Sequence, residues 1–140
     1  MKHLKNERGQ SLVELAISIF ILVYLLAGAV EFGLAFFQYV QLRDAAQEGA
    51  LYGSMNPADS TNIELRVRNA STSPVDLGDT SAVTVTQTII GSQACEGNGI
   101  QVTVSYNHQI FMPFIPQFIG SSTIPLNATV TDTILSPVCP

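Results

Sequence analysis

With 140 residues, the chain has room for one modest domain and one membrane element. Acidic residues outnumber basic ones 11 to 6, for a net charge of −5, which leaves no basic surface for nucleic acid. Charge is also segregated. Lys2, Lys5 and Arg8 precede a long apolar run with only Glu7 against them, whereas Arg43, Arg66 and Arg68 follow it among a larger number of acids. Short basic flanks stay on the cytoplasmic side, so the N-terminus is expected inside and the remainder exported.

Residues 1–9 read as a polar leader ending in Gly9, a small residue where a processing protease could cut before Gln10. Gln10-Ser11-Leu12-Val13-Glu14 then sets a carboxylate at the threshold of a membrane span, where a free charge is expensive and usually functional. Leu15 to Val30 carries no charge, and Phe32-Gly33-Leu34-Ala35-Phe36-Phe37 continues the apolar character past Glu31. Counted through Glu31, the stretch reaches the ~20 residues needed to cross a hydrocarbon core. With no proline before Pro57, one helix is predicted from about Gln10 to Gly53. Its length is on the order of 65 Å, more than a membrane's thickness. The membrane segment is placed at 10–37 and the exported domain at 38–140. A competing reading is a signal peptide, with Leu15–Leu26 as its apolar core and Ala27-Gly28-Ala29 as a small-x-small cleavage site. It would release a secreted soluble domain.

The outer half of the helix is amphipathic. Phe32, Phe36, Tyr39 and Val40 recur at helical spacing, and Ala45, Ala46, Gly49 and Ala50 follow. Small residues four apart permit close approach, either to the chain's own domain or to another subunit. Asn56-Pro57-Ala58-Asp59 stops the helix, and Thr61 to Ala70 reads as a short second one. Three stretches alternate as strands: Ala82–Thr86, Ile100–Tyr106 and Ala128–Thr131. The expected fold is α+β: a long N-terminal transmembrane helix extending into a small domain whose antiparallel sheet, three-stranded or slightly larger, packs on the helix.

Cys95 and Cys139 both fall in the exported part, where an oxidising compartment allows either a disulfide or two unpaired thiols. Closing that loop would stabilise by roughly 4 kcal/mol in the chain-entropy treatment. Without a CxxC or a nearby His they do not make a metal site. His3 and His108 lack partners in any catalytic pattern, no Ser/His/Asp set or phosphate loop occurs, and neither enzyme activity nor a cofactor is expected. Between the last two strands, the proline-broken segment from Ile110 to Gly120 carries Phe111, Met112, Phe114, Ile115 and Phe118. It is expected to form no regular strand or helix. Folding over the open sheet face to complete the core is the favoured arrangement; exposure as a patch for a partner or bilayer is the other.

Arg8 through Glu14, the apolar run, Val30-Glu31-Phe32-Gly33, and Leu42-Arg43-Asp44-Ala45-Ala46-Gln47-Glu48-Gly49-Ala50 together resemble the TadE family. These are pseudopilin-like or minor-pilin components of bacterial tight-adherence, Flp-type, pilus and secretion systems. The resemblance covers roughly residues 8–53. It implies prepilin-peptidase cleavage after Gly9, with Gln10 as mature N-terminus and Glu14 as fifth mature residue, the place of the glutamate characteristic of type IV pilins. Gln10 departs from the aromatic or Met first residue of many of them. The resemblance further implies an inner-membrane protein with a cytoplasmic N-terminus, pilin-like subunits and the assembly machinery as partners, and possible entry into a surface pilus. Glu14 is then expected to pair with the new ammonium at Gln10 of a neighbouring subunit. Glu31, at the opposite end of the span, reads first as an interfacial residue that lets the helix emerge into water and second as a contact with a basic residue of another subunit. An uncleaved bitopic anchor with an extracytoplasmic binding domain is the alternative.

Overall fold

The computed structural model describes residues 7–113 and 115–136, excepting the side-chain surroundings of 7, 8 and 118. Helix α1 runs unbroken from Glu7 to Met55, 49 residues, or roughly 70 Å. Its two halves have different surroundings. Leu12, Phe20, Leu22, Leu26 and Val30 are exposed, and the most apolar window is not covered by the rest of the chain at all. Farther along, Leu42, Ala45, Ala46 and Ala50 are buried. Their spacing of three and four residues puts them on one helical stripe.

After Asn56-Pro57 the chain turns into α2 (Ser60–Asn69). Asp59 caps it, its carboxylate accepting the Asn62 backbone N–H at 3.2 Å and the Asn62 side-chain amide at 2.7 Å. These bonds, the side-chain one foremost, hold the Asp59 carboxyl below its ordinary range. Ile63 and Val67 bury the inner face of α2 against α1. The loop that follows is tied to α1 by the Gln41 amide, which donates to Val75 O at 2.7 Å and accepts from Val75 N–H at 3.0 Å.

The rest is one antiparallel sheet in the order β1 (Val83–Ile90), β2 (Gly99–Gln109), β3 (Thr123–Thr133). Val83 pairs with Tyr106 at one end of β1, and Gln109 with Thr123 at the far end of β3. Alternation decides the faces. Ile100, Val102, Val104 and His108 of β2 point at the helices, whereas Thr86, Thr129 and Thr131 face outward. Across the outer face Thr103 and Thr129 hydroxyls meet at 2.9 Å. Helix α1 lies over β2 and β3, and α2 closes the side at β1. Pro125 is tolerated because β3 is an edge strand.

Close approach of α1 to the sheet requires its small residues. A Cβ on Gly49 would stand 2.5 Å from Val67 Cγ2, and one on Gly53 2.6 Å from Ile100 Cδ1. Gly49→Val is therefore expected to push α2 outward and to destabilise the domain by about 1–3 kcal/mol. Its urea midpoint should fall below that of the wild type; an unchanged midpoint would contradict this contact.

Phe32, Phe36 and Tyr39 are exposed and stay outside this interface, with Phe32 stacked on Phe36, 6.3 Å away. The small residues pack instead, because only they let two elements meet the helix. One expectation is corrected: the Ile110–Gly120 segment neither lacks regular structure nor covers the sheet. It contains a short helix, α3 (Ile115–Ile119), with Pro116 in its first turn, where a missing N–H costs nothing. Gly120 at φ +72° closes it, donating to Pro116 O at 2.9 Å. The helices already cover the sheet, so the segment is free to lie elsewhere.

Candidate functional site

The segment lies against the apolar, N-terminal half of α1. His108, the last inward residue of β2, is fully buried. Its Nε2–H donates to Glu31 Oε1 at 2.8 Å, and its Nδ1 stands 2.7 Å from Gln38 Oε1. Glu31 and Gln38 are seven residues apart, two turns of α1, so the ring bridges one face of the helix. Two acceptor oxygens suit the doubly protonated ring; turning the Gln38 amide about its terminal bond presents an N–H and suits the neutral one. In both cases the proton on Nε2 points at the carboxylate.

Glu31, only 12% exposed at its side chain, serves a second donor. The same Oε1 accepts the Phe111 backbone N–H at 3.1 Å. Downstream, Met112 is buried, with its sulfur beside Gly28. Tyr24 Oη then donates to Pro113 O at 3.1 Å. The segment thus descends α1 from Glu31 past Gly28 to Tyr24, toward the helix N-terminus. Phe111 ends 75% exposed, and Ile119 is exposed as well. The patch anticipated from sequence is divided: Phe111 faces out, Met112 packs inward, Ile115 is half-buried. Phe114 and the Phe118 side chain lie outside the described residues.

Glu31 has its partner inside its own chain, and His108, passed over in the sequence, supplies it. The only hint in the sequence was one of register, since His108 continues the inward series of Ile100, Val102 and Val104. The other expected site residues are far away. Gly9, Gln10 and Glu14 are exposed on the first turns of α1, with Glu14 among Val13, Ile17 and Ser18. Among the described residues Glu14 has no hydrogen-bond or ionic partner. Cys95 is buried and is not a free thiol. Its loop is bonded to the chain after β3, Gly97 N–H donating to Ile134 O at 3.0 Å and Ile134 N–H to Asn98 O at 2.8 Å. Cys139 lies outside the described residues.

Neither the curated proteins nor the solved structures contain a match to this chain. Family models do. From Gly9, through the exposed apolar half of α1 and into its small-residue stripe, residues 9–51 match the family described as TadE-like protein.

Proposed function

We propose that the protein is a membrane-anchored, pilin-like, non-enzymatic subunit that acts in assembly or function of a bacterial tight-adherence pilus or secretion system. The observation that carries this reading is the family match over residues 9–51, which spans the exposed apolar helix with Glu14 at its start. The leader of residues 1–9 stays cytoplasmic, residues 10–37 span the inner membrane, and residues 38–140 are exported. Prepilin peptidase cuts between Gly9 and Gln10, leaving an ammonium group at Gln10.

Pairing gives Glu14 its role. One turn into the helix, in low dielectric, an unpaired carboxylate is costly, and a neighbouring subunit's new N-terminal ammonium is the complementary charge. Docking would therefore be selective for processed subunits. Near the outer end of the span, Glu31 is committed to holding the domain on the helix, and the exposed aromatics Phe32 and Phe36 offer the adjoining surface for subunit contact. A Cys95–Cys139 disulfide would tie the C-terminal segment beside the β1–β2 loop.

Glu14→Gln keeps the size of the side chain and removes its charge. In the native host it should leave the protein in the membrane while sharply reducing its co-isolation with other pilin-like subunits. Undiminished co-isolation would instead favour a permanent bitopic anchor.

A further inference from the structure

The β2–β3 loop departs from the rest of the domain in where it goes and in how its backbone is satisfied. It runs beside α1 from Glu31 back to Tyr24, a descent of seven residues or roughly 10 Å along the axis. With Glu31 at the outer edge of the hydrocarbon, that descent is about a third of a ~30 Å core. An outer edge as late as Phe37 only submerges the loop further. Irregular backbone at such depth is tolerated only where its polar groups find partners. Here they do. Ile110 N–H donates to Ser122 O, Phe111 N–H to Glu31, and Gly120 N–H to Pro116 O, while Tyr24 caps the Pro113 carbonyl. Pro113 and Pro116 have no N–H to satisfy. Composition agrees, since no Asp, Glu, Lys or Arg occurs between His108 and Asp132.

We propose that the β2–β3 loop is a membrane-dipping element that seats the domain in the outer leaflet of the bilayer spanned by α1, with Phe111 and Ile119 among phospholipid acyl chains. This rests on the reading of α1 as a membrane span. Burying two large apolar side chains in lipid adds favourable transfer energy to that of the span. It also fixes the rotation of the domain relative to the membrane, since the loop sits on one face of α1. The Glu31–His108–Gln38 bridge is then placed at the water boundary, screened from below by the loop and from above by β2.

The chain contains no tryptophan, so one introduced Trp reports one position. Full-length Phe111→Trp, Ile119→Trp, Phe20→Trp and Thr86→Trp would be compared in phosphatidylethanolamine–phosphatidylglycerol vesicles whose acyl chains are brominated either shallow or deep. Ile119 is exposed, and Phe111, also exposed, touches the fold through its ring only edge-on at His108, 6.4 Å between centroids, a contact that an aromatic Trp can keep. Blue-shifted emission with strong quenching by shallow bromines is expected at positions 111 and 119. Deep quenching is expected at 20 and none at 86. Quenching at 20 with water-exposed, unquenched emission at 111 and 119 would overturn the loop proposal while leaving the span intact, and would assign the patch to a protein partner. Absence of quenching at 20 would overturn the span and the loop together.

Discussion

Replacing Glu31 with Leu should destabilise the sheet domain by about 2–4 kcal/mol, since it leaves the buried Nε2–H of His108 and the Phe111 N–H without acceptors. Leu fills similar space, so the loss is one of hydrogen bonding and charge, with little change in packing. Glu31→Gln separates the two contributions. Its amide oxygen can still accept, and its midpoint should lie between those of the wild type and Glu31→Leu. Pulse proteolysis of the domain across a urea series, with the full chain in nanodiscs, reads the order directly. Equal midpoints for all three would show that the bridge does not hold the domain on α1. Phe111 offers an internal check. With its N–H released, the loop should become the earliest cleaved segment in Glu31→Leu.

The sequence exposed most of the architecture because its signals are long and periodic. Helix α1 was legible from an uncharged run followed by a stripe of small residues with no proline, and its observed span differs from the expected one only at the ends. The Thr/Val alternation located all three strands, although β3 begins well before Ala128, at Thr123. There Pro125 interrupts the alternation, although Leu126 continues the inward series of Ala128 and Val130, and register against β2 supplies the order instead. What stayed hidden depends on contacts across the chain. Glu31 and His108 are 77 residues apart, and no local pattern couples a helix carboxylate to a strand imidazole. The loop was misjudged for a related reason. Its apolar content was plain, but the helices had already covered the sheet, and Tyr24 and Glu31, the residues that hold the loop down, belong to the membrane half of α1.

Leader removal carries the largest expected effect, because it is all or none. A prepilin peptidase must accommodate the residue before the cut, and Gly9 has no side chain; nothing among the described residues lies within 4 Å of where its Cβ would be. Gly9→Leu therefore fits the folded chain without strain, and any failure of processing belongs to the protease's recognition. The variant should persist in the membrane at full length and fail to assemble, since its N-terminal ammonium remains nine residues from the position that Glu14 addresses.

Maturation in the manner of a pilin is read from the intact mass of the wild-type protein extracted from its native membranes, with Gly9→Leu measured beside it. The expected result is a wild-type mass lacking residues 1–9 and a full-length variant. A full-length wild type, or a mass lacking residues 1–29, would contradict it, the first in favour of a permanent anchor and the second of a secreted domain.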